Sequence, residues 1–183
     1  MSTSNSKFIV LDRDGVINED LWGYVTKKED FNPIPGSINA IKQLNDSGYR
    51  VFVATNQACI NKRIINQEGL DDVHDYMCSL VKEEGGKIDY IAFCPHSPEE
   101  KCSCRKPETG LLVEIEQKFN CTLRNSFFIG DKESDVLCAI KHGCIPLLVE
   151  TGYGQKTLAS ANCPPKELCF QDLEAAVKFI LNN

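Results

Sequence analysis

Short apolar runs alternate with amphipathic stretches along most of this chain. Residues 8–12, 50–55, 88–93, 126–130 and 145–149 are brief, β-prone segments of the kind that form buried strands. Between them apolar residues recur at helical spacing. Residues 36–47 place Ile38, Ile41 and Leu44 on one face, with Gly48 as a stop. Residues 67–84 carry Leu70, Val73, Met77, Leu80 and Val81, then end at Gly85-Gly86. Residues 110–119 hold Leu111, Leu112 and Ile115; residues 134–142 end at Gly143; residues 173–181 read as a last amphipathic helix. The alternation predicts an α/β fold: a Rossmann-like, doubly wound, mostly parallel sheet with helices on both faces.

Strands of one parallel sheet release their C-terminal ends along one edge, where ligands bind. The segments after those ends carry chemistry: Asp12-Arg13-Asp14-Gly15, Thr55-Asn56-Gln57, residues 94–107 and residues 130–135. They are expected to meet. Asp12 and Asp14, two apart on extended chain, are expected to project the same way. Converging carboxylates repel, and a divalent cation relieves the repulsion. Alone, Asp-x-Asp-Gly also fits an acidic turn or a calcium loop, but Val16 and Ile17 break the calcium ligand pattern.

Asp12 is placed as a nucleophile that attacks phosphorus and forms an acyl phosphate. Asp14 is placed as general acid to the leaving alcohol, then base to the hydrolytic water. Magnesium held by Asp12, the main-chain carbonyl of Asp14 and Asp131 would offset the repulsion between carboxylate and phosphate. The Thr55 hydroxyl and the Asn56 and Gln57 amides are candidates to hold phosphoryl oxygens; an ordinary polar turn is the competing reading. Lys106 offers a fixed cation for the same group, against a merely solvated lysine. Asp135, one helical turn beyond Asp131, is the candidate to orient Lys106 or a metal-bound water.

At 183 residues the chain is most simply one domain, residues 1–183, with a substantial core. A net charge of −6 argues against nucleic acid or an anionic membrane as partner. No run reaches transmembrane length, and residues 1–7 lack a signal-peptide apolar segment, so a cytoplasmic monomer is expected.

Among ten cysteines, Cys94-Pro95-His96 and Cys102-Ser103-Cys104 form a C-x-H-x5-C-x-C pattern that matches a structural zinc set. The flanking Pro, Ser, Glu and Lys cannot build a core, so zinc would order the loop. Free thiols beside a chance histidine are the competing reading. Arg105 and Lys106 follow directly, so the metal would position both. Cys78, Cys138 and Cys169 read as buried reduced thiols, Cys59 as silent packing beside the site, and His74 and His142 as bystanders on helices.

Together these signals resemble the haloacid dehalogenase superfamily of phosphatases over residues 8–149. The resemblance implies Asp12 as nucleophile, Asp14 as acid/base, Thr55 and Lys106 as phosphoryl-stabilising and Asp131 as metal-binding. The gaps from Asp14 to Thr55 and from Thr55 to Lys106 leave no room for a separate cap domain, so the site should be closed only by loops. Within the superfamily the chain is most similar to the heptose 1,7-bisphosphate phosphatases. That similarity rests on Leu11-Asp12-Arg13-Asp14-Gly15-Val16-Ile17-Asn18, Gly23-Tyr24-Val25, Thr55-Asn56-Gln57, Cys94-Pro95-His96, Cys102-x-Cys104-Arg105-Lys106-Pro107 and Gly130-Asp131-Lys132. It implies that the segment around Asp20–Tyr24, Asp20, Gly23 and Tyr24 above all, contacts a small sugar phosphate together with Arg105 and Lys132. Lys62, Arg63, Arg105 and Lys132 would suit a second phosphate, solvation being the alternative. Ala58 stands where the family pattern has Ser, and the zinc loop is as short as in the sister histidinol-phosphate phosphatases. Another small phosphomonoester therefore stays open as substrate. Two readings from other classes are a zinc-ordered binding module without catalysis and a phosphoacceptor domain whose phospho-aspartate lasts.

Overall fold

The computed structural model describes residues 7–182. Among them, β1 (Lys7–Leu11), β2 (Tyr49–Asn56), β3 (Tyr90–Cys94), β4 (Phe127–Gly130), β5 (Ile145–Val149) and β6 (Cys169–Phe170) form one sheet in the order β3-β2-β1-β4-β5-β6. Every neighbouring pair is parallel. The helices are α1 (Ser37–Asp46), α2 (Gln67–Glu83), α3 (Gly110–Phe119), α4 (Glu133–His142), α5 (Gly154–Leu158) and α6 (Leu173–Asn182).

Alternation along the strands divides the core in two. Ile9, Leu11, Val51, Val53, Ile129, Leu147 and Val149 face one side, against Ala40, Ile41 and Leu44 of α1, Val73, Met77 and Val81 of α2, and Leu173, Ala176 and Val177 of α6. Val10, Phe52, Ala54, Ala92, Cys94 and Phe128 face the other, against Leu111, Leu112 and Ile115 of α3 and Cys138 and Ala139 of α4. Both faces are covered, which is why the strand runs read as continuously apolar. The side chain of Asn66 caps α2 by accepting from the Gly69 N–H at 2.9 Å.

The hydrophobic pattern predicts five of these strands and five of the helices. It misses β6 and α5, which are too short to display a period. Pairing also carries β3 past its predicted end at Phe93: Cys94 is in register with Asn56, so the first zinc-loop cysteine closes a strand.

β1 lies between β2 and β4, and the chain leaves it in opposite directions across the sheet. This is the switch point of a doubly wound fold, and the crevice lies outside its carboxyl ends. The stretches from β1 to α1 and from β3 to α3 hold loop and one 3-10 turn each, Lys28–Asp30 and Pro98–Glu100, with no separate cap among the described residues. No described helix is long and apolar enough to cross a membrane.

Candidate active site

Asp12 follows β1, Asp131 follows β4, and Asp135 lies in the first turn of α4. One carboxylate oxygen from each sits within 4.8 Å of the others. Lys106 Nζ reaches this group, 3.0 Å from Asp12 Oδ1 and 2.6 Å from Asp135 Oδ1. All four residues are buried. Burial alone would lower the Lys106 ammonium, but Asp12 and Asp135 outweigh it and hold the group above its ordinary value. Burial pushes the Asp131 carboxyl well above the usual range, and the charges of Asp135 and Asp12 add to this.

Asp131 Oδ2 accepts from the Tyr153 N–H at 2.8 Å, whereas the buried Oδ1 has no hydrogen-bond partner. Three carboxylates facing one ammonium leave negative charge uncompensated in a low-dielectric site. An oxygen-rich set with a bare, buried carboxylate oxygen fits a hard divalent cation such as magnesium. Two glycines let the surrounding loops close on Asp131. A Cβ on Gly15 (φ +85) would lie 2.2 Å from Asp131 Oδ2, and one on Gly152 (φ +55) would lie 2.3 Å from it.

Asp14 lines the same cavity as Asp12, as expected, but β1 ends at Leu11, so a turn rather than strand alternation brings it there. Its carboxylate lies in the following turn and belongs to a separate network. Arg13 donates through Nε and Nη2 to Asp14 Oδ1 at 3.1 and 2.9 Å, and Nη2 also reaches Oδ2 at 2.9 Å. Asn18 Nδ2 and Gln57 Nε2 each donate to it at 2.9 Å. Burial alone would raise this carboxyl, but the Arg13 guanidinium and the two amides hold it below the usual range. Arg13, which the sequence left without a role, is itself fully buried.

The segment after β2 also differs from its expected use. Asn56 exchanges two hydrogen bonds with the Lys106 backbone: Lys106 N donates to Oδ1 at 3.0 Å and Nδ2 donates to the Lys106 carbonyl at 3.1 Å. Gln57 Nε2 serves both Asp14 and Thr55 Oγ1, at 2.9 Å each, and the residue is 1 % exposed. Gln57 therefore braces Thr55 and Asp14 from behind, whereas Asn56 lines the active-site cavity while it also holds the Lys106 backbone. Cys59 is buried with its thiol against Gln57, and burial pushes the thiol up.

A cavity of about 600 Å³ opens over Asp12, Asp14, Thr55 and Lys106. Asp20, Gly23, Tyr24, Asn56, Lys62, Arg105 and Lys132 line it, as do Trp22, inside the expected 20–24 segment but not singled out there, and Tyr153, which the sequence reading missed. Arg63 does not line it; it is exposed in a left-handed turn (φ 54) just beyond Lys62. Lys132 Nζ pairs with Asp20 Oδ2 at 2.9 Å, and Asp20 Oδ1 accepts from the Trp22 N–H at 2.7 Å. The Trp22 and Tyr153 rings meet at 4.6 Å, and Lys132 Nζ lies 4.7 Å from the Tyr153 ring. Tyr153 follows the C-terminal end of β5, so the strand-end rule that picked the other segments could have found it. Trp22 carried no such signal.

Cys94, His96, Cys102 and Cys104 converge beside Lys106 and could hold a metal ion. Cys94 Sγ is 3.6 Å from both His96 Nδ1 and Cys102 Sγ, and Cys104 Sγ is 3.2 Å from His96 Nδ1, 3.2 Å from Cys94 Sγ and 3.4 Å from Cys102 Sγ. Arg105 is tied to this loop through Nη1, which donates to the His96 carbonyl at 2.9 Å. Of the remaining cysteines read as buried, Cys138 is buried, but Cys78 and Cys169 are only half-buried, the latter because β6 is the sheet edge. His142 lies 3.2 Å from Glu116 at the surface end of α4. His74 is no bystander: its ring is buried and its Nε2 is 3.1 Å from Arg13 Nη1.

Residues 103–176 match the family described as HAD-hyrolase-like. Over 175 residues the chain is 41 % identical to the D-glycero-beta-D-manno-heptose-1,7-bisphosphate 7-phosphatase of Pseudomonas putida, covering 96 % of this chain and 99 % of that one. The Bordetella bronchiseptica enzyme of the same name is 36 % identical over 175 residues. The crystal structure of D,D-heptose 1,7-bisphosphate phosphatase from B. bronchiseptica, complexed with magnesium and phosphate, superposes with a TM-score of 0.92, covering 96 % of this chain and 98 % of that one. The corresponding structure from Burkholderia thailandensis has a TM-score of 0.74 at 33 % identity, covering 97 % and 99 %. The chain thus belongs to the haloacid dehalogenase-like hydrolases, in the heptose 1,7-bisphosphate 7-phosphatase family.

Proposed function

We propose that this chain is a magnesium-dependent phosphatase that removes the 7-phosphate of D-glycero-D-manno-heptose 1,7-bisphosphate through an aspartyl-phosphate intermediate. The observation that carries the reading is a cavity with Asp12 and Lys106 at its floor, a buried Asp131 oxygen within 4.8 Å of Asp12 beneath it, and three further cations, Lys62, Arg105 and Lys132, on its rim. The floor suits the phosphoryl group being transferred. The rim suits a phosphate that stays on the sugar. Identity of 41 % to a relative of that name over nearly the whole chain supports the substrate.

The chemistry follows from the hydrogen bonds. Asp12 Oδ1 accepts from the Arg13 N–H at 2.7 Å and faces Lys106, which leaves Oδ2 to attack phosphorus. The P–O bond to the sugar breaks as the Asp12–phosphorus bond forms. Lys106 offsets charge on the phosphoryl oxygens, and Thr55 offers its hydroxyl. Asp14, held ionised by Arg13, Asn18 and Gln57 in the free site, must take up a proton beside the incoming phosphate; it gives that proton to the leaving alkoxide, then takes one from the water that cleaves the acyl phosphate, so the cycle closes. Asp12, Asp131 and the main-chain carbonyl of Asp14 would hold magnesium, which supplies positive charge against the approach of carboxylate to phosphate.

Cys94, His96, Cys102 and Cys104 would hold zinc. Ligands at zinc distances of about 2.3 Å for sulfur lie about 3.8 Å apart on a tetrahedron, close to the separations above. With four protein ligands the ion has no open position, so its work is to fix the loop that carries Arg105 and Lys106.

Phosphate release in magnesium buffer tests the reading on the bisphosphate, the heptose 7-monophosphate and histidinol phosphate. The bisphosphate should have the highest kcat/KM, by about tenfold or more. Asp12→Asn should abolish turnover of all three. Fastest turnover of histidinol phosphate would assign the chain to the sister activity instead.

A further inference from the structure

The inward face of α2 is apolar apart from one residue. Leu70, Val73, Met77 and Val81 pack into the core, and His74 is buried among them at 6 % exposure. Its Nε2 lies 3.1 Å from Arg13 Nη1. A guanidinium can only donate, so Nε2 must accept, the ring proton must sit on Nδ1, and the imidazole must be neutral. Burial and the Arg13 charge push the ring's pKa down to about 3, which keeps it neutral. With Nη1 held by His74, the Nε and Nη2 fork of Arg13 is left to grip Asp14.

An aliphatic side chain would fill this part of the core without the cost of burying an imidazole. What the histidine adds is an acceptor for the far edge of a guanidinium that is itself 0 % exposed. Without that acceptor, Nη1 would be a buried unsatisfied donor, and the planar group could regain a bond only by turning away from Asp14. We propose that His74 is a positioning residue for phosphoryl transfer: through Arg13 it fixes the carboxylate of Asp14 where the leaving oxygen of the substrate must be protonated. This rests on the acid/base role of Asp14 proposed above, and not on which sugar is the substrate.

The test compares His74→Leu, which removes the acceptor, with His74→Gln, which restores one. Each folded variant is assayed on an alkyl phosphomonoester that the wild type turns over and on p-nitrophenyl phosphate. Nitrophenolate leaves without a proton, so kcat/KM on that substrate reports phosphoryl transfer without general-acid help. For His74→Leu, kcat/KM on the alkyl phosphate should fall about tenfold or more, mostly in kcat, and on p-nitrophenyl phosphate less than about threefold. His74→Gln should recover most of the loss. Equal losses on both substrates, or a folded His74→Leu within about twofold of wild type on the alkyl phosphate, would overturn the proposal. If His74→Leu does not fold, nitrogen NMR of the wild-type ring decides: a proton on Nδ1 with a bare Nε2 is expected, and a proton on Nε2 excludes it. That measurement needs no turnover, so it separates this proposal from the substrate assignment.

Discussion

Lys106 Nζ stands 2.6 Å from Asp135 Oδ1 while also facing the nucleophile candidate Asp12 at 3.0 Å. Asp135 thereby fixes the lysine from the side away from the cavity, since it is fully buried and absent from the cavity lining. The two partners should fail in different ways. Asp135→Asn keeps the shape and an acceptor for the Lys132 N–H, now 3.0 Å from Oδ2, but loosens Lys106. It should lower kcat by about 10 to 100 times with little loss of stability. Lys106→Met leaves three buried carboxylates without their ammonium, which should cost about 3–5 kcal/mol at neutral pH in addition to activity. Urea unfolding of both variants checks the contrast; equal destabilisation would contradict it.

The bare Asp131 Oδ1 gives a second contrast. Asp131→Asn removes a buried charge that the Lys132 ammonium offsets only in part, the carboxyl's pKa staying well above the usual range. Without magnesium, the variant should be at least as stable as wild type. Magnesium at about a hundred times its dissociation constant should raise wild-type stability by about 2.7 kcal/mol and leave the variant unmoved. Thermal melts with and without the ion measure this, and an undiminished shift in the variant would place the cation elsewhere.

The periodic part of the sequence carried the fold, and strand ends carried most of the site. The convergence of Asp12, Thr55, Lys106 and Asp131 was legible because each lies at or beyond the C-terminal end of a strand of one parallel sheet, whatever the distance along the chain. Other features were not. Gln57 has the right chemistry for a phosphoryl group, but its hydrogen bonds run backwards to Asp14 and Thr55, and Asn56, which does line the cavity, also holds the Lys106 backbone; only tertiary contacts decide this. His74 looked like any helical residue because its partner, Arg13, is 61 positions away. Trp22 lies in a loop without period, in a left-handed conformation (φ 57) held by Asp20. Arg63 shares the charge of Lys62 but not its place, because a turn directs it outside the cavity.

His74 also predicts a pH effect on stability. Its pKa is about 3 in the fold, against an ordinary 6.5. Below about pH 6.5 the unfolded chain binds a proton that the folded one refuses. Stability must fall as pH drops from there toward about 3, by up to ~1.4 kcal/mol per unit from this residue, and be unaffected above about pH 7. His74→Gln lacks this slope. The unfolding free energy of the variant relative to wild type should therefore rise by about 2 kcal/mol between pH 7 and about pH 5. Parallel pH curves would contradict a neutral, buried imidazole.

Removing the loop metal should act on catalysis at a distance. One zinc per chain is expected by elemental analysis. Stripping it, or Cys104→Ser, should release the loop that ties Arg105 to the His96 carbonyl and carries Lys106. Loop amides should then exchange faster, and kcat/KM should drop about tenfold or more while the sheet stays folded. Full activity in zinc-free protein would show that Asn56 and Asp135 suffice to hold Lys106.

Trp22 is the only tryptophan in the chain and is 69 % exposed at the mouth of the cavity. Its indole meets Tyr153, and Asp20 links its backbone to Lys132, so the four form one wall of the rim. A sugar phosphate entering against that wall would exclude water from the indole and compete with Asp20 for the Lys132 ammonium. Substrate or inorganic phosphate should then shift the intrinsic fluorescence, and the shift should saturate at the same concentration as turnover. Because the ring lies away from the reacting atoms, Trp22→Ala should raise KM by about three- to tenfold and leave kcat within about twofold. A variant that lost kcat instead, with KM unchanged, would mean that Trp22 shapes the floor of the site rather than its entrance.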